Sequence, residues 1–238
     1  MKYKAALFDL DDTLIRSRRL YDKALRYSSA FLASKYSLDV EEFFQLALEK
    51  YSLVSKNFPS VHTRHSRILL FRLALDEAVG KYDVSLLPEA EDMFWNYFIS
   101  NISLFPGVEE TLSKLKISGV KIAIVSDGSL ALRIRKVKAA GLLQYCDEVI
   151  ASEEVIFEKP FSAIFTLTLS KLDVDGSDAV MIGNNLKNDI RGAQLVGIRA
   201  GLFEPPVEAN VEEKDPTIIP DFVITEMPQL LEEFGLKK

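Results

Sequence analysis

The chain is poor in the residues that build covalent or zinc-based scaffolds: its 238 residues include one cysteine and two histidines. A lone Cys146, between Tyr145 and Asp147, excludes an intramolecular disulfide and a cysteine metal cluster, and reads as a core thiol. His62 and His65 have no acid or cysteine beside them at zinc-ligand spacing. No uninterrupted apolar run approaches the roughly twenty residues of a membrane-spanning helix, and the short run near Met1 is too brief for a signal peptide. The expectation is a cytoplasmic protein with no membrane partner. Positive charge is also in deficit, since 29 Lys and Arg face 35 Asp and Glu for a formal net charge of −6. That balance provides no overall field to attract nucleic acid or anionic lipid, so an anionic small molecule would need a local basic pocket. Internal repeats, low-complexity tracts and extended blocks of like charge are absent, and nothing specifies an oligomeric state.

What the chain does have is 48% hydrophobic and 27% charged residues, the balance of a chain that buries a core. Residues 5–10 form a short apolar run ending in acids, which reads as a buried parallel strand with polar residues at its carboxyl end. Helical periodicity then takes over, in stretches at 20–35, 40–53, 66–79 and 88–98. After the breaker Phe105-Pro106-Gly107 a helix is expected over 108–117, followed by alternation: strand 120–126, helix 130–140, strand 148–152, helix 163–171, strand 179–183, helix 190–196, strand 198–203. A sixth strand at 221–225, a final helix at 228–234 and a loop over 204–220 complete the reading. Alternating strands and helices with short connections require a parallel sheet covered on both faces, because the crossovers are right-handed and helical. The fold class is therefore α/β, a doubly wound parallel sheet of Rossmann type. Residues 1–16 and 102–238 form its core, and 17–101 are an inserted α-helical module.

In such a sheet, ligands bind at the carboxyl ends of the strands. Standing there are Asp9, Asp11 and Thr13 after the first strand, Ser126 and Asp127 after the second, Lys159 beyond the third, and Asn184, Asn185, Asn188 and Asp189 after the fourth. These types suit phosphoryl transfer, where catalysis is largely positioning and charge neutralisation. One carboxylate, Asp9, can attack phosphorus, and a second, Asp11, can protonate the leaving alcohol and later activate water. Mg²⁺ prefers carboxylate and carbonyl oxygens, so Asp9, the backbone carbonyl of Asp11 and Asp189 make an adequate cation site. Lys159 would hold the phosphate and keep Asp9 ionised.

The segments Phe8-Asp9-Leu10-Asp11-Asp12-Thr13-Leu14, Ser126, Glu158-Lys159-Pro160 and Gly183-Asn184-Asn185-Leu186-Lys187-Asn188-Asp189 resemble, in order, the four motifs of the haloacid dehalogenase-like superfamily. The helical module resembles the cap of the subfamily in which the cap lies between motifs one and two. The resemblance implies Asp9 as nucleophile and Asp11 as acid/base. It places Thr13, Ser126 and Lys159 at phosphate-binding or supporting positions, with Asp127 beside them, and Asp189 as a metal-binding acid. Mg²⁺ is the implied cofactor and a small phosphorylated metabolite the implied substrate. The family's dehalogenases lack an acid where Asp11 stands, since expelling halide needs no proton donor, so Asp11 favours a phosphatase. Asn184 stands where the fourth motif usually has an acid; its amide can still bind the metal but supplies no negative charge. A phosphomutase, a 2-haloacid dehalogenase and a non-catalytic binding module are the alternative readings.

Each segment also has a purely structural interpretation. Asn188 and Asp189 can cap the following helix, and Ser126, Asp127 and Gly128 can be turn residues. Lys56, His62, Arg64, His65 and Arg67 form a basic stretch most simply read as a solvated face, as do Arg16, Arg18 and Arg19. Phe94, Trp95, Tyr97 and Phe98 read as packing residues of the helical module.

Overall fold

The computed structural model describes residues 2–206 and 215–236. It separates into two compact units, one of Met1–Arg16 with Ser103–Lys238 and one of Ser17–Ile102.

The first unit is built on a sheet of six parallel strands: β1 (Ala5–Phe8), β2 (Lys121–Ser126), β3 (Glu148–Ala151), β4 (Ala179–Gly183), β5 (Arg199–Phe203) and β6 (Phe222–Ile224). Their order is β3-β2-β1-β4-β5-β6. β1 and β4 are buried at every position, as is β2 except at Lys121, which is why these segments read as continuous apolar runs without alternation. Ala5, Leu7, Ala123, Val125, Ala179 and Met181 belong to one buried cluster with Ile164, Phe165 and Leu172. In the sequence the strands are separated by the longer helices of this unit, Val108–Ile117, Leu130–Ala139 and Ser162–Leu172. Chain order reverses beside β1, whose neighbours are β2 on one side and β4 on the other, so the crevice at the carboxyl ends of β1 and β4 is the switch point of the sheet.

β1 stops at Phe8, two residues short of the expectation. Asp9 N–H still donates to Ile182 O at 2.9 Å, but the Leu10 carbonyl is then taken by the N–H groups of Leu14 and Ile15, at 3.0 and 3.1 Å. The chain turns there, with Asp12 at φ 60°, and the turn carries Asp11 away from the strand axis. Beyond it, Phe105 N donates to Leu14 O and Arg16 N to Ser103 O, so the chain leaves and re-enters this unit at adjacent points.

The segment after β4 also departs from expectation. In place of an α-helix over 190–196, a π-helical turn covers Leu186–Arg191 and a short α-helical piece follows at Gly192–Gln194. The reason is local: Asn185 caps the turn by accepting from Asn188 N at 2.7 Å, while Asp189 folds its carboxylate back onto Asn185 N at 3.0 Å. Capping therefore falls to Asn185, and not to Asn188 or Asp189. The expected last helix is likewise divided, into a tight turn at Met227–Gln229 and a single turn at Leu230–Glu233. Of the expected loop 204–220, residues 207–214 lie outside the described residues; the described remainder carries no helix or strand.

The second unit consists chiefly of four helices, α1 (Arg18–Lys35), α2 (Val40–Asn57), α3 (Arg67–Ala78) and α4 (Leu86–Ser100). Asp39 caps α2 by accepting from Glu41 N and Glu42 N, both at 2.9 Å, and Ser66 caps α3 through Leu69 N at 3.2 Å. Phe94, Trp95 and Phe98 are buried packing residues, whereas Tyr97 stacks on Tyr27 near the surface. Arg67 is a correction to the solvated-face reading. It is buried, with its guanidinium 4.6 Å from the Phe94 ring centroid and 4.8 Å from that of Tyr51, and the aromatic faces offset part of its desolvation.

Candidate active site

Four segments of the first unit deliver the candidate site. The strands end in register, Phe8 opposite both Ile124 and Ile182, so Asp9, Val125 with Ser126, and Gly183 with Asn184 emerge side by side. Lys159 reaches in from beyond β3. Its Nζ donates to Asp9 Oδ1 at 2.7 Å, to Asp189 Oδ1 at 2.7 Å and to the Val125 carbonyl at 3.1 Å. One ammonium thus ties three separate strand ends together, and all three side chains are buried.

The electrostatics follow from that burial. Loss of solvent pushes the Asp9 carboxyl up to about 7; Lys159 opposes the rise, while the negative charges of Asp189 and Asp11 add to it. Burial works against the charged form of Lys159, but the surrounding Asp189, Asp9 and Asp127 outweigh it and hold the ammonium above its ordinary value. The lysine is therefore a fixed positive charge, and its anionic partners share it.

Thr13 and Asn184 complete the inner face. Thr13 Oγ1 lies 3.2 Å from Asp9 Oδ2 and 3.4 Å from Asn184 Oδ1, two acceptors for its one hydroxyl hydrogen. The threonine hydroxyl thereby orients the Asp9 carboxylate beside the Asn184 amide oxygen. Gly183 makes room for Asp189, since a Cβ at that position would overlap the Asp189 carboxylate. Ser126 closes β2, buried next to Val125.

Asp127 follows Ser126 at the end of β2. Its Oδ1 accepts from the backbone N–H of Lys159 at 2.9 Å, which anchors the segment that presents the lysine. Burial raises its carboxyl to about 6, with Lys159 opposing and Glu158 and Asp189 adding. Asp11 is turned toward the helix Leu130–Ala139, labelled here α5: both of its oxygens accept from Lys136 Nζ at 2.9 Å, and Oδ2 also accepts from Arg133 Nη1 at 2.8 Å. The donor expected of Asp11 at a cation site is its backbone carbonyl, separate from the carboxylate that Arg133 and Lys136 hold.

Arg133 and Lys136 were not singled out from the sequence, although a signal was present. In α5 the buried positions are Arg133, Lys136 and Val137, while Ile134 is 41% exposed, so the inward stripe falls on cations and an isoleucine is left outside. An inverted stripe of that kind marks buried charges that need an internal partner.

The model of the haloacid dehalogenase-like hydrolase family matches residues 3–197. The chain belongs to the haloacid dehalogenase-like hydrolases. Among its relatives, the ribulose-1,5-bisphosphate 5-phosphatase of Halopiger xanaduensis is 34% identical over 88% of both chains. The glyceraldehyde 3-phosphate phosphatase of Pyrococcus furiosus is 29% identical, over 97% of this chain and 92% of its own. Among solved structures, a haloacid dehalogenase-family phosphatase from Thermococcus onnurineus superposes with a TM-score of 0.75 at 26% identity, covering 98% of this hydrolase and 99% of its own chain. A 2-haloacid dehalogenase from Pseudomonas syringae superposes with a TM-score of 0.77 at 27% identity, over 98% of both. A phosphatase and a dehalogenase are thus both represented among its neighbours. Among the described residues, no helix of this hydrolase is long and apolar enough to cross a membrane.

Proposed function

We propose that this haloacid dehalogenase-like hydrolase is a phosphatase, cleaving a small phosphate monoester through an aspartyl-phosphate intermediate on Asp9. The observation that carries the reading is the pair of 2.7 Å bonds from Lys159 to Asp9 and Asp189 at the switch point of the sheet, with Asp11 on the turn leaving the same strand. A carboxylate held this way is an oriented nucleophile beside a permanent cation, the arrangement that lowers the cost of bringing two anions together.

In the first step an Asp9 oxygen bonds to phosphorus as the bond to the leaving oxygen breaks, and Asp11 gives that oxygen a proton. In the second, Asp11 takes a proton from water, the water oxygen bonds to phosphorus, and the bond to Asp9 breaks. Lys159 and Ser126 are assigned to the phosphate oxygens. Thr13 orients Asp9, and Asp127 holds the lysine segment in place. Relatives that act on phosphorylated sugars favour a small phosphorylated metabolite as substrate. The helical unit is assigned the role of cap because it is inserted between the first two motifs, and the site of action is taken as the cytoplasm.

The donor set suits a hard divalent cation such as Mg²⁺, because every atom available to it is an oxygen. Among the described residues no group of three or more Asp, Glu, His or Cys gathers around one point, so the holding residues would be the carboxylates of Asp9 and Asp189 with the neutral oxygens of Asn184 and the Asp11 carbonyl. When bound, the ion supplies positive charge that offsets the repulsion between Asp9 and an incoming phosphate.

The deciding experiment is hydrolysis of p-nitrophenyl phosphate with Mg²⁺ or with chelator, comparing the wild-type chain with Asp9→Asn. Mg²⁺-dependent release of p-nitrophenol that the substitution abolishes is the expected result. Release of halide from a 2-haloacid in the presence of chelator, with no phosphatase activity, would overturn the reading in favour of the dehalogenase.

A further inference from the structure

α5 carries two cations that nothing in the chemistry described so far uses. Arg133 and Lys136 stand three residues apart on one face of the helix, with side chains only 3% and 0% exposed. Between them they grip both oxygens of Asp11 through three bonds of 2.8 to 2.9 Å. Burying an arginine and a lysine is costly, and apolar side chains of similar volume would pack such a helix at least as stably. The surrounding chain is nevertheless shaped to admit them. Gly128 lies at φ 121°, and any Cβ there would overlap the Arg133 guanidinium. The start of α5 is fixed from the neighbouring strand end, by Gly128 N to Ser152 Oγ at 2.9 Å and Leu130 N to Glu153 Oε2 at 2.8 Å.

We propose that Arg133 and Lys136 are positioning residues that hold Asp11 as the base for the second half of the reaction, the hydrolysis of the aspartyl phosphate. The inference rests on the phosphatase reading and deepens it. Asp11 lies on a turn with no strand to hold it, and a free carboxylate there would rotate about both side-chain torsions. Pinned at both oxygens by cations, it is held in one orientation, which activation of a water molecule requires. The same grip does little for the first half when the leaving group departs without a proton, as p-nitrophenolate does. The two cations should therefore control one step and spare the other.

The test is stopped-flow hydrolysis of p-nitrophenyl phosphate in Mg²⁺ by the wild-type chain, Lys136→Met, Arg133→Gln and Arg133→Lys, with Asp9→Asn run alongside. Slowing only the second half predicts that Lys136→Met and Arg133→Gln lower kcat roughly tenfold or more, a part of the 10²–10⁴ that general base catalysis contributes. Their kcat/KM should stay within about twofold of wild type, because it reports only the steps through release of p-nitrophenol. A burst approaching one p-nitrophenol per chain should precede the slow steady state, and Arg133→Lys should recover most of the lost kcat. Equal falls in kcat and kcat/KM with no burst, in variants that keep the wild-type circular dichroism spectrum, would overturn the proposal, as would unchanged kcat. If Lys136→Met does not fold, the two Arg133 variants decide between the same outcomes. Failure of the phosphatase reading shows separately, as wild-type turnover that is absent or indifferent to Asp9→Asn.

Discussion

Asp9 and Asp11 are two residues apart and carry similar chemistry, yet their removal should have unequal consequences for stability. Asp9 shares Lys159 with Asp189, so Asp9→Asn leaves the ammonium a partner and relieves a carboxyl that burial has pushed up to about 7. Asp11 is the carboxylate that both Arg133 and Lys136 grip, and Asp11→Asn withdraws its charge from two buried cations. Breaking a buried ion pair from one side costs about 3–5 kcal/mol, and the partial exposure of Asp11 points to the lower end. Urea denaturation should show Asp11→Asn losing about 3 kcal/mol while Asp9→Asn stays within about 1 kcal/mol of wild type. Cys146 is a second residue-scale case. Burial first, and then the charge of Asp147, push its thiol up to about 12, so it should react with a disulfide reagent at neutral pH far more slowly in the native protein than in denaturant.

At the scale of the element, the turn after β4 and the loop after β2 are the places where backbone and site depend on each other. Asn185→Ala removes the side chain that accepts from Asn188 N, and should cost about 1 kcal/mol, as the loss of an N-cap does. The larger effect is expected on catalysis, because the same turn aims Asp189 at Lys159. Gly128→Ala combines a φ of 121° with overlap of the Arg133 guanidinium, so its melting temperature should fall and its kcat should fall as that of Arg133→Gln does. Asp147 joins the helix Val108–Ile117 to β2: its carboxylate accepts from Lys116 Nζ at 2.6 Å and from Ile122 N at 2.8 Å. Burial acts to raise its carboxyl, but the Lys116 and Ile122 bonds outweigh burial and hold it below the usual carboxylate range. A depressed folded value means the contribution is complete above the unfolded value, about 3.9, and is lost as pH falls through the folded one. Comparing acid unfolding of wild type with Asp147→Asn should show the difference between them shrinking below about pH 4.

For the whole molecule, the most direct expectation is linkage between Mg²⁺ and folding. An ion that binds the native carboxylates of Asp9 and Asp189 raises stability by RT ln(1 + [L]/Kd), about 2.7 kcal/mol at a hundred times Kd. Calorimetry should show a melting temperature that rises with Mg²⁺ in the wild-type chain and does not in Asp189→Asn. An unchanged wild-type melting temperature at millimolar Mg²⁺ would count against the ion site.

Much of this molecule was legible from local pattern. The strands buried on both faces announced themselves as apolar runs, and the residues at their carboxyl ends were identifiable because parallel sheets place ligands there. Asp9, Thr13, Lys159, Asn184 and Asp189 are joined by one run of hydrogen bonds, Asn184 to Thr13 to Asp9 to Lys159 to Asp189. What local pattern left undetermined was where side chains turn after the strand ends. Nothing in the order of residues 9–15 shows that the Leu10 carbonyl is captured by Leu14 and Ile15, ending β1 early and sending Asp11 toward a helix more than a hundred residues further along the chain. Likewise Arg67 belongs to a basic run in sequence and to an aromatic interior in space. Sequence periodicity reports which backbone groups pair locally and which faces leave water. The pairing of buried charges depends on distances between segments remote in sequence, and only the folded chain sets those.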